Sequence, residues 1–563
     1  EDVDVLFGAT YNMERDVFEP SVQKGFTFSF PYFLDGVAMG GIPENVDCAE
    51  ALDFNSSTVC EETLVCVWAG TTHETIMSRL IPPSNLVLTA IDGVNFPSQC
   101  QVTASETAYL SPAATKQRGY FGGYKLGTRF FSREPISMVT RQDDPRFSDL
   151  VEWLVQALVY AEEEGITKAS SFRFSSTYVF GGNETNPHPT LEKVFENAIA
   201  VRGNYGEMYN FNMQNYLPRG GMNKLNRGNS PIIFSFPFGE TSAIAPEIEL
   251  TSPTVAAIKK RGFLNCGVNI RKGFAKFDTE TRMWSGFDVE LCRAIAAALF
   301  DGVDSVVYTD LPAAQRFQVL ADKRVDLLAR LTTWTLSRDV KEPATGMGLS
   351  FSSPYFHDGL KFGGLGEYAA CADNLDVISP VCQDLKICLL EGTTIFTRVQ
   401  ELLPNKYIFP KASFQEIIAG LNDGSCNAIA GGFHDVALDS VRERGYIGAA
   451  IYSVGENLFS KDPLALTTRQ DDPVWSDFVK WIFWALVYAE ENFVHQATAS
   501  AMPRIKLFGP LRTNAFYHAV NLVGNYGELY NRNFADLVPR GGMHELNVEF
   551  EPMLRALPGI NNS

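Results

Sequence analysis

The chain has 563 residues, 45% of them hydrophobic and 20% charged, which is the make-up of a globular protein with real cores. At roughly 100 to 200 residues per domain, the length allows about three to five domains. Lysine and arginine total 47 against 66 acidic residues, a formal net charge of -19. No basic run of useful length occurs, so nucleic acid is not an expected partner, because phosphate binding needs clustered cations.

In chain order, the first features are four cysteines, Cys48, Cys60, Cys66 and Cys100, with an N-glycosylation triplet at Asn55 between them. Gly70-Thr71-Thr72 reads as the start of a helix. The apolar stretch 151–160 carries Trp153, Leu154, Ala157, Leu158 and Ala161 at helical spacing. It is too short to span a bilayer and runs into Ala-Glu-Glu, so it predicts a core helix. A second triplet stands at Asn183 and a third at Asn561. Residues 240–252, rich in Ser, Thr, Ala, Pro and Glu, predict a linker. Beyond it the pattern predicts a strand at 264–269, a helix at 287–300, a strand at 303–308 and a helix at 313–321. Then come Cys371, Cys382, Cys388 and Cys426, the apolar strand 385–390 leading into Gly392-Thr393-Thr394, and a second apolar helix at 478–488.

Self-comparison ties these features together. Thr140-Arg141-Gln142-Asp143-Asp144-Pro145 returns at 468–473, and Ala157-Leu158-Val159-Tyr160-Ala161-Glu162-Glu163 returns at 485–491. Gly203-Asn204-Tyr205-Gly206-Glu207 returns at 524–528, and Pro218-Arg219-Gly220-Gly221-Met222 at 539–543. A period this long means duplicated whole domains rather than a solenoid unit. The first copy occupies 1–239 and the second 253–563. Val3-Asp4 aligns with Val325-Asp326, so the equivalent of 253–322, a strand-helix-strand-helix segment, has no counterpart at the front. An uncovered sheet face and edge are expected there. A cleaved upstream fragment, a neighbouring copy or residues beyond this sequence would cover them.

The ten cysteines number evenly, and Cys266 and Cys292 occur only in the second copy. No CxxC pair is present and none of the seven histidines is near these cysteines in sequence, so disulfides are expected rather than a metal site. The pairs proposed are Cys48–Cys60, Cys66–Cys100, Cys266–Cys292, Cys371–Cys382 and Cys388–Cys426; sequence alone leaves other connectivities open. Lasting disulfides and the glycosylation triplets predict a secreted, extracellular protein. The chain shows no signal peptide, lipidation motif or anchor and reads as a processed product.

Cys266-Gly267-Val268-Asn269, Trp284-Ser285-Gly286-Phe287-Asp288-Val289-Glu290-Leu291-Cys292-Arg293-Ala294, Thr332-Thr333-Trp334-Thr335-Leu336-Ser337-Arg338-Asp339 and Gly392-Thr393-Thr394 carry a resemblance. With 477–491 and 524–528, they make the second copy similar to the family 3 extracellular solute-binding proteins, specifically the general L-amino-acid-binding proteins of bacterial ABC importers. The first copy matches more weakly. The resemblance implies an α/β fold of the type II periplasmic-binding class, two tandem domains, each with two α/β lobes. In the second copy lobe one covers about 253–355 and 469–560 and lobe two about 365–462. In the first copy lobe one covers about 1–35 and 136–239 and lobe two about 36–135.

The resemblance implies a small polar or amino-acid-like solute held between the lobes. It places a carboxylate clamp on Arg338 with Thr333, and on Arg15 with Thr10 in the first copy. Thr393 and Thr394, with Thr71 and Thr72, open helices whose free N–H groups suit an anion. Each of these also reads as plain helix capping, and Arg338 as a surface residue paired with Asp339. The family's ammonium-binding Asp falls on Gly432 in the second copy and on Glu106 in the first. Asp435 is the nearest substitute, and without one the second copy is expected to bind α-amino acids poorly. The family Arg matching Arg330 is Gly8 in the first copy. No cofactor is expected, and no enzyme either, for lack of a nucleophile motif, metal-ligand spacing or phosphate loop. The alternative to a binder is an extracellular structural protein that reuses the fold in head-to-tail self-assembly.

Overall fold

The computed structural model describes residues 3–18, 24–90, 96–174, 193–220, 223–224, 252–342, 344–448, 451–504, 514–541 and 544–545. All but Ser252 of the expected linker lies outside them, as do the glycosylation triplets at Asn183 and Asn561; Asn55 is exposed.

The second copy builds two five-stranded sheets. The first runs in the order Val306–Asp310, Leu264–Val268, Leu327–Leu328, Thr467–Arg469, Leu349–Phe351, parallel over its first three strands and antiparallel about Thr467–Arg469. Against it pack the helices Phe287–Leu299, Pro473–Glu491 and Ala515–Val523, which bury Phe287, Trp475, Phe478, Trp481, Trp484 and Phe516 in one core. Asp472 caps Pro473–Glu491 by accepting from Trp475 N, with proline in the first turn where no N–H is needed. The second sheet has the order Ile408–Lys411, Ile387–Leu390, Ala428–Gly432, Leu360–Leu365, Tyr452–Val454. Phe356–Asp358 and Asp462–Leu464 pair antiparallel and carry the chain between the two sheets.

The first copy repeats this plan. Leu86–Thr89, Val65–Trp68, Val102–Glu106, Val37–Gly41 and Lys125–Leu126 stand in the same strand order as the second sheet. Leu6–Thr10, Glu134–Arg141 and Phe26–Phe28 reproduce the inner part of the other sheet, with Phe33–Asp35 also on Glu134–Arg141. Leu6–Thr10 is the edge strand among the described residues, and Leu6 and Phe7 are exposed on it.

Some boundaries differ from the sequence reading. The strand expected at 303–308 runs Val306–Asp310, because the parallel register pairs Leu264 with Val306 and leaves Val303 in the preceding turn. The helix expected at 313–321 starts at Arg316, since Gln315 N closes a turn on Pro312 O. All ten cysteines are in disulfides: Cys48–Cys60, Cys66–Cys100, Cys266–Cys292, Cys371–Cys382 and Cys388–Cys426.

The copies meet through their long helices, Pro145–Glu163 and Pro473–Glu491, by reciprocal contacts. Trp153 Nε1 donates to Asp339 at 2.8 Å, and its counterpart Trp481 Nε1 donates to Asp16 at 2.7 Å. Gln142 Nε2 donates to Asp477 at 3.1 Å, and Gln470 Nε2 donates to Asp149 at 3.1 Å. Arg133 pairs with Glu491, and Lys461 pairs with Glu163. In each case the second contact swaps the roles of the copies, so the interface is that of a two-fold dimer written within one chain.

Candidate functional site

The cavity between the lobes of the second copy is lined from lobe one by Arg271, Arg316, Arg330 and Arg338, from lobe two by Thr393, Thr394, His434 and Asp435, and from the crossover strands by Asp358 and Asp462. Thr335 caps the short helix Leu336–Lys341 by accepting from Arg338 N, which sets Arg338 in the first turn. The Arg338 side chain is buried and donates from Nη1 to Thr333 O at 2.9 Å. It does not pair with Asp339, whose carboxylate faces away to the Trp153 indole of the first copy. Burial lowers the Arg338 pKa to about 10 despite the pull of Asp462 and Glu342.

Thr393 and Thr394 divide two tasks. Thr393 caps the helix Thr394–Leu402, accepting from Phe396 N and donating to Leu390 O. Thr394 Oγ1 instead bridges the lobes, 3.3 Å from Thr333 Oγ1 and donating to Asp462 at 3.1 Å. The capping reading therefore holds for Thr393, and its hydroxyl is spent.

Asp435 lines the cavity, but its charge is already matched. Arg271 Nη1 bonds both carboxylate oxygens, Arg444 Nη2 donates to Oδ1 at 2.7 Å, and His434 Nε2 lies 3.5 Å away. Burial alone would raise its pKa; Arg271, His434 and Arg444 outweigh burial and hold it well below the usual carboxylate range. Asp435 therefore does not stand free to receive an ammonium.

In the first copy Arg15 Nη1 donates to Thr10 O at 3.4 Å, repeating the Arg338–Thr333 link in a more exposed setting. Thr71 caps its helix, and Thr10 and Thr72 both donate to Glu134, the counterpart of Asp462. Buried His73 lies 3.4 Å from Glu106 and 3.6 Å from Glu134 through Nε2. These three residues offer ligand atoms within 4.8 Å of one another, the geometry a cation would need. An imidazolium meets the same need: burial opposes protonation of His73, but Glu134 and Glu106 win and raise its pKa. Glu106, like Asp435, thus has a basic side chain beside it already.

Sequence reasoning missed His73, Glu134, Arg271, Arg316 and His434. His434 adjoins Asp435, and His73 follows Thr72 directly, so the flanks of the motifs held a usable clue. Arg271 did not offer one, since its partner is 164 residues distant in the chain.

No family model matches the chain. Among curated proteins, the general L-amino acid-binding periplasmic protein AapJ of Rhizobium johnstonii is 30% identical over 317 residues, covering 51% of this chain and 87% of that protein. The putative amino-acid ABC transporter-binding protein YhdW of Escherichia coli K12 is 31% identical over 312 residues, covering 51% of this chain and 86% of its own. Among solved structures, an ABC transporter periplasmic binding protein from Brucella ovis with glutathione bound is 31% identical, covers 55% of this chain and 99% of its own, and has a TM-score of 0.44.

Proposed function

The chain belongs to the family 3 amino-acid-binding periplasmic proteins, and from that premise we propose that its second copy holds a small polar or amino-acid-like solute between its lobes, gripping a carboxylate with Arg338. The observation that carries this reading is the buried Arg338 guanidinium at the cavity wall, hydrogen-bonded to one backbone carbonyl and to no carboxylate among the described residues. A guanidinium in that state presents its remaining N–H groups to whatever enters, and a carboxylate is the group whose shape and charge fit them. Thr333 and Thr394 span the two lobes beside it, so a ligand seated there favours the closed form. Five disulfides support a working place outside the reducing cytosol, and secretion to the cell exterior is part of the proposal.

Titration calorimetry with amino acids and small carboxylates tests it. Arg338→Ala is expected to weaken the binding found by about 10- to 100-fold, the worth of a charged hydrogen bond of about 1.5–3 kcal/mol. Arg15→Ala is expected to leave that affinity unchanged, since Arg15 belongs to the other cleft. Absence of heat across the whole panel would remove solute binding as the function.

A further inference from the structure

We propose that the cleft of the second copy takes a small dicarboxylate that carries no amino group. The proposal rests on the solute-binding reading above and narrows its ligand class.

An α-amino acid brings one carboxylate and one ammonium, so its site needs a cation for the first and a free acid for the second. The cavity wall offers more cation than one carboxylate needs. Arg316, Arg330 and Arg338 are 2%, 4% and 8% exposed. Their side chains hydrogen-bond only to the carbonyls of Ala313, Leu311 and Thr333, and none forms an ion pair among the described residues. Arg316 Nε is buried without any partner. Burial of cations without an anion in contact is costly. The three also repel one another. Burial, then Arg338 and Arg330, lower the Arg316 pKa despite Glu342, and burial, then Arg271, lower Arg330 to about 9 despite Asp310 and Asp288. Two carboxylates on one ligand would satisfy this set where a single one would leave guanidinium N–H groups unmatched.

The acids at the wall are, by contrast, all engaged. Asp435 is held by Arg271 and Arg444. Asp358 accepts from Gly359 N and Phe433 N and lies 3.2 Å from His434 Nδ1. Asp462 accepts from the hydroxyls of Thr394 and Ser460. Gly432, where the family's ammonium-binding acid falls, has no side chain. An entering ammonium would have to displace a cation or a donor already in place.

Glutarate and L-glutamate separate the two ligand classes, because they share both carboxylates and differ by the α-ammonium. Calorimetry on the full chain at pH 7.5 is expected to show glutarate binding at least tenfold tighter than L-glutamate. Arg316→Gln is expected to weaken glutarate at least tenfold. Should that variant fold poorly, Arg271→Gln serves in its place: loosening the grip on Asp435 is expected to narrow the glutarate-to-glutamate ratio at least threefold. L-Glutamate binding as tightly as glutarate, or tighter, overturns this inference and leaves solute binding standing. No heat from glutarate, L-glutamate or neutral amino acids at millimolar concentration overturns both.

Discussion

Gly432 shows why a single missing side chain is a matter of packing as well as of chemistry. A Cβ built on it would lie 2.1 Å from Asp358 Oδ2, a distance real contacts do not reach. The family's acid at this position therefore cannot be restored by substitution alone while Asp358 holds its place. Gly432→Ala is expected to cost about 1–3 kcal/mol in chemical denaturation, the usual price of overpacking, and Gly432→Asp at least as much. An alanine variant as stable as the parent would show that Asp358 yields freely. The sequence displayed the absence of the acid at 432 and the presence of Asp435 nearby. It did not display that Arg271 and Arg444 occupy Asp435, because Arg271 comes from the opposite lobe, 164 residues away, and Arg444, nine residues on, belongs to no motif spacing the sequence shows. Arg338 came forward through the resemblance of 332–339, and its place in the turn is set locally, by Thr335 capping it.

The two long helices were the most legible elements, since Asp144 and Asp472 cap them, proline follows each cap, and the same apolar periodicity fills both. What the pattern concealed is one exchange between them. Lys480 lies against Asp16 at 2.7 Å and Asp477 at 3.0 Å, whereas the matching residue of the first helix is Glu152. That half of the interface brings Asp149, Glu152 and Asp339 together in buried positions, with Asp144 nearby and no lysine among them. Burial, reinforced by neighbouring carboxylates, raises Asp149 and raises Glu152 to about 7; burial raises Asp339 to about 7 against the pull of the Trp153 and Trp334 indoles. Acids whose folded pKa exceeds the unfolded one hold their stability below the unfolded value and lose it as pH rises through the folded value. The chain is therefore expected to lose melting temperature between about pH 4.5 and 7.5 on their account. Glu152, raised to about 7, contributes on the order of a few kcal/mol to that loss. Glu152→Gln should flatten the profile, whereas Glu152→Lys should leave a residual slope, because in the other half Asp477 stays raised to about 7 beside Lys480. Thermal melts of the three proteins across that range check it; identical slopes would show that Glu152 does not set the pH response.

At the scale of the whole molecule, duplication could be read from the repeated blocks, but the way the copies pack could not. Gln142, Asp149 and Trp153 look like internal repeat motif, and only the structure shows that each bonds the other copy, Gln142 while also donating to Asp16 O and Phe26 O of its own. Identical motifs supply both sides of an isologous contact, so the sequence is the same whether the copies touch or not. The contact is also mostly buried: Trp153 and Trp481 are fully enclosed, and Glu163 and Glu491 are nearly so while pairing with Lys461 and Arg133. Neither copy can unfold without exposing the other's buried interface to water and losing the indole, amide and ion-pair contacts made across it. The copies are thus expected to melt as one cooperative unit in scanning calorimetry at pH 5.5, below the raised pKa of about 7 of Glu152 and Asp339. Replacing both Gln142 and Gln470 by Ala removes the paired donors to Asp477 and Asp149 and should lower the melting temperature or split the transition. Two separate endotherms in the unmodified chain would mean that each copy is held by its own core alone, with the interface adding nothing to either.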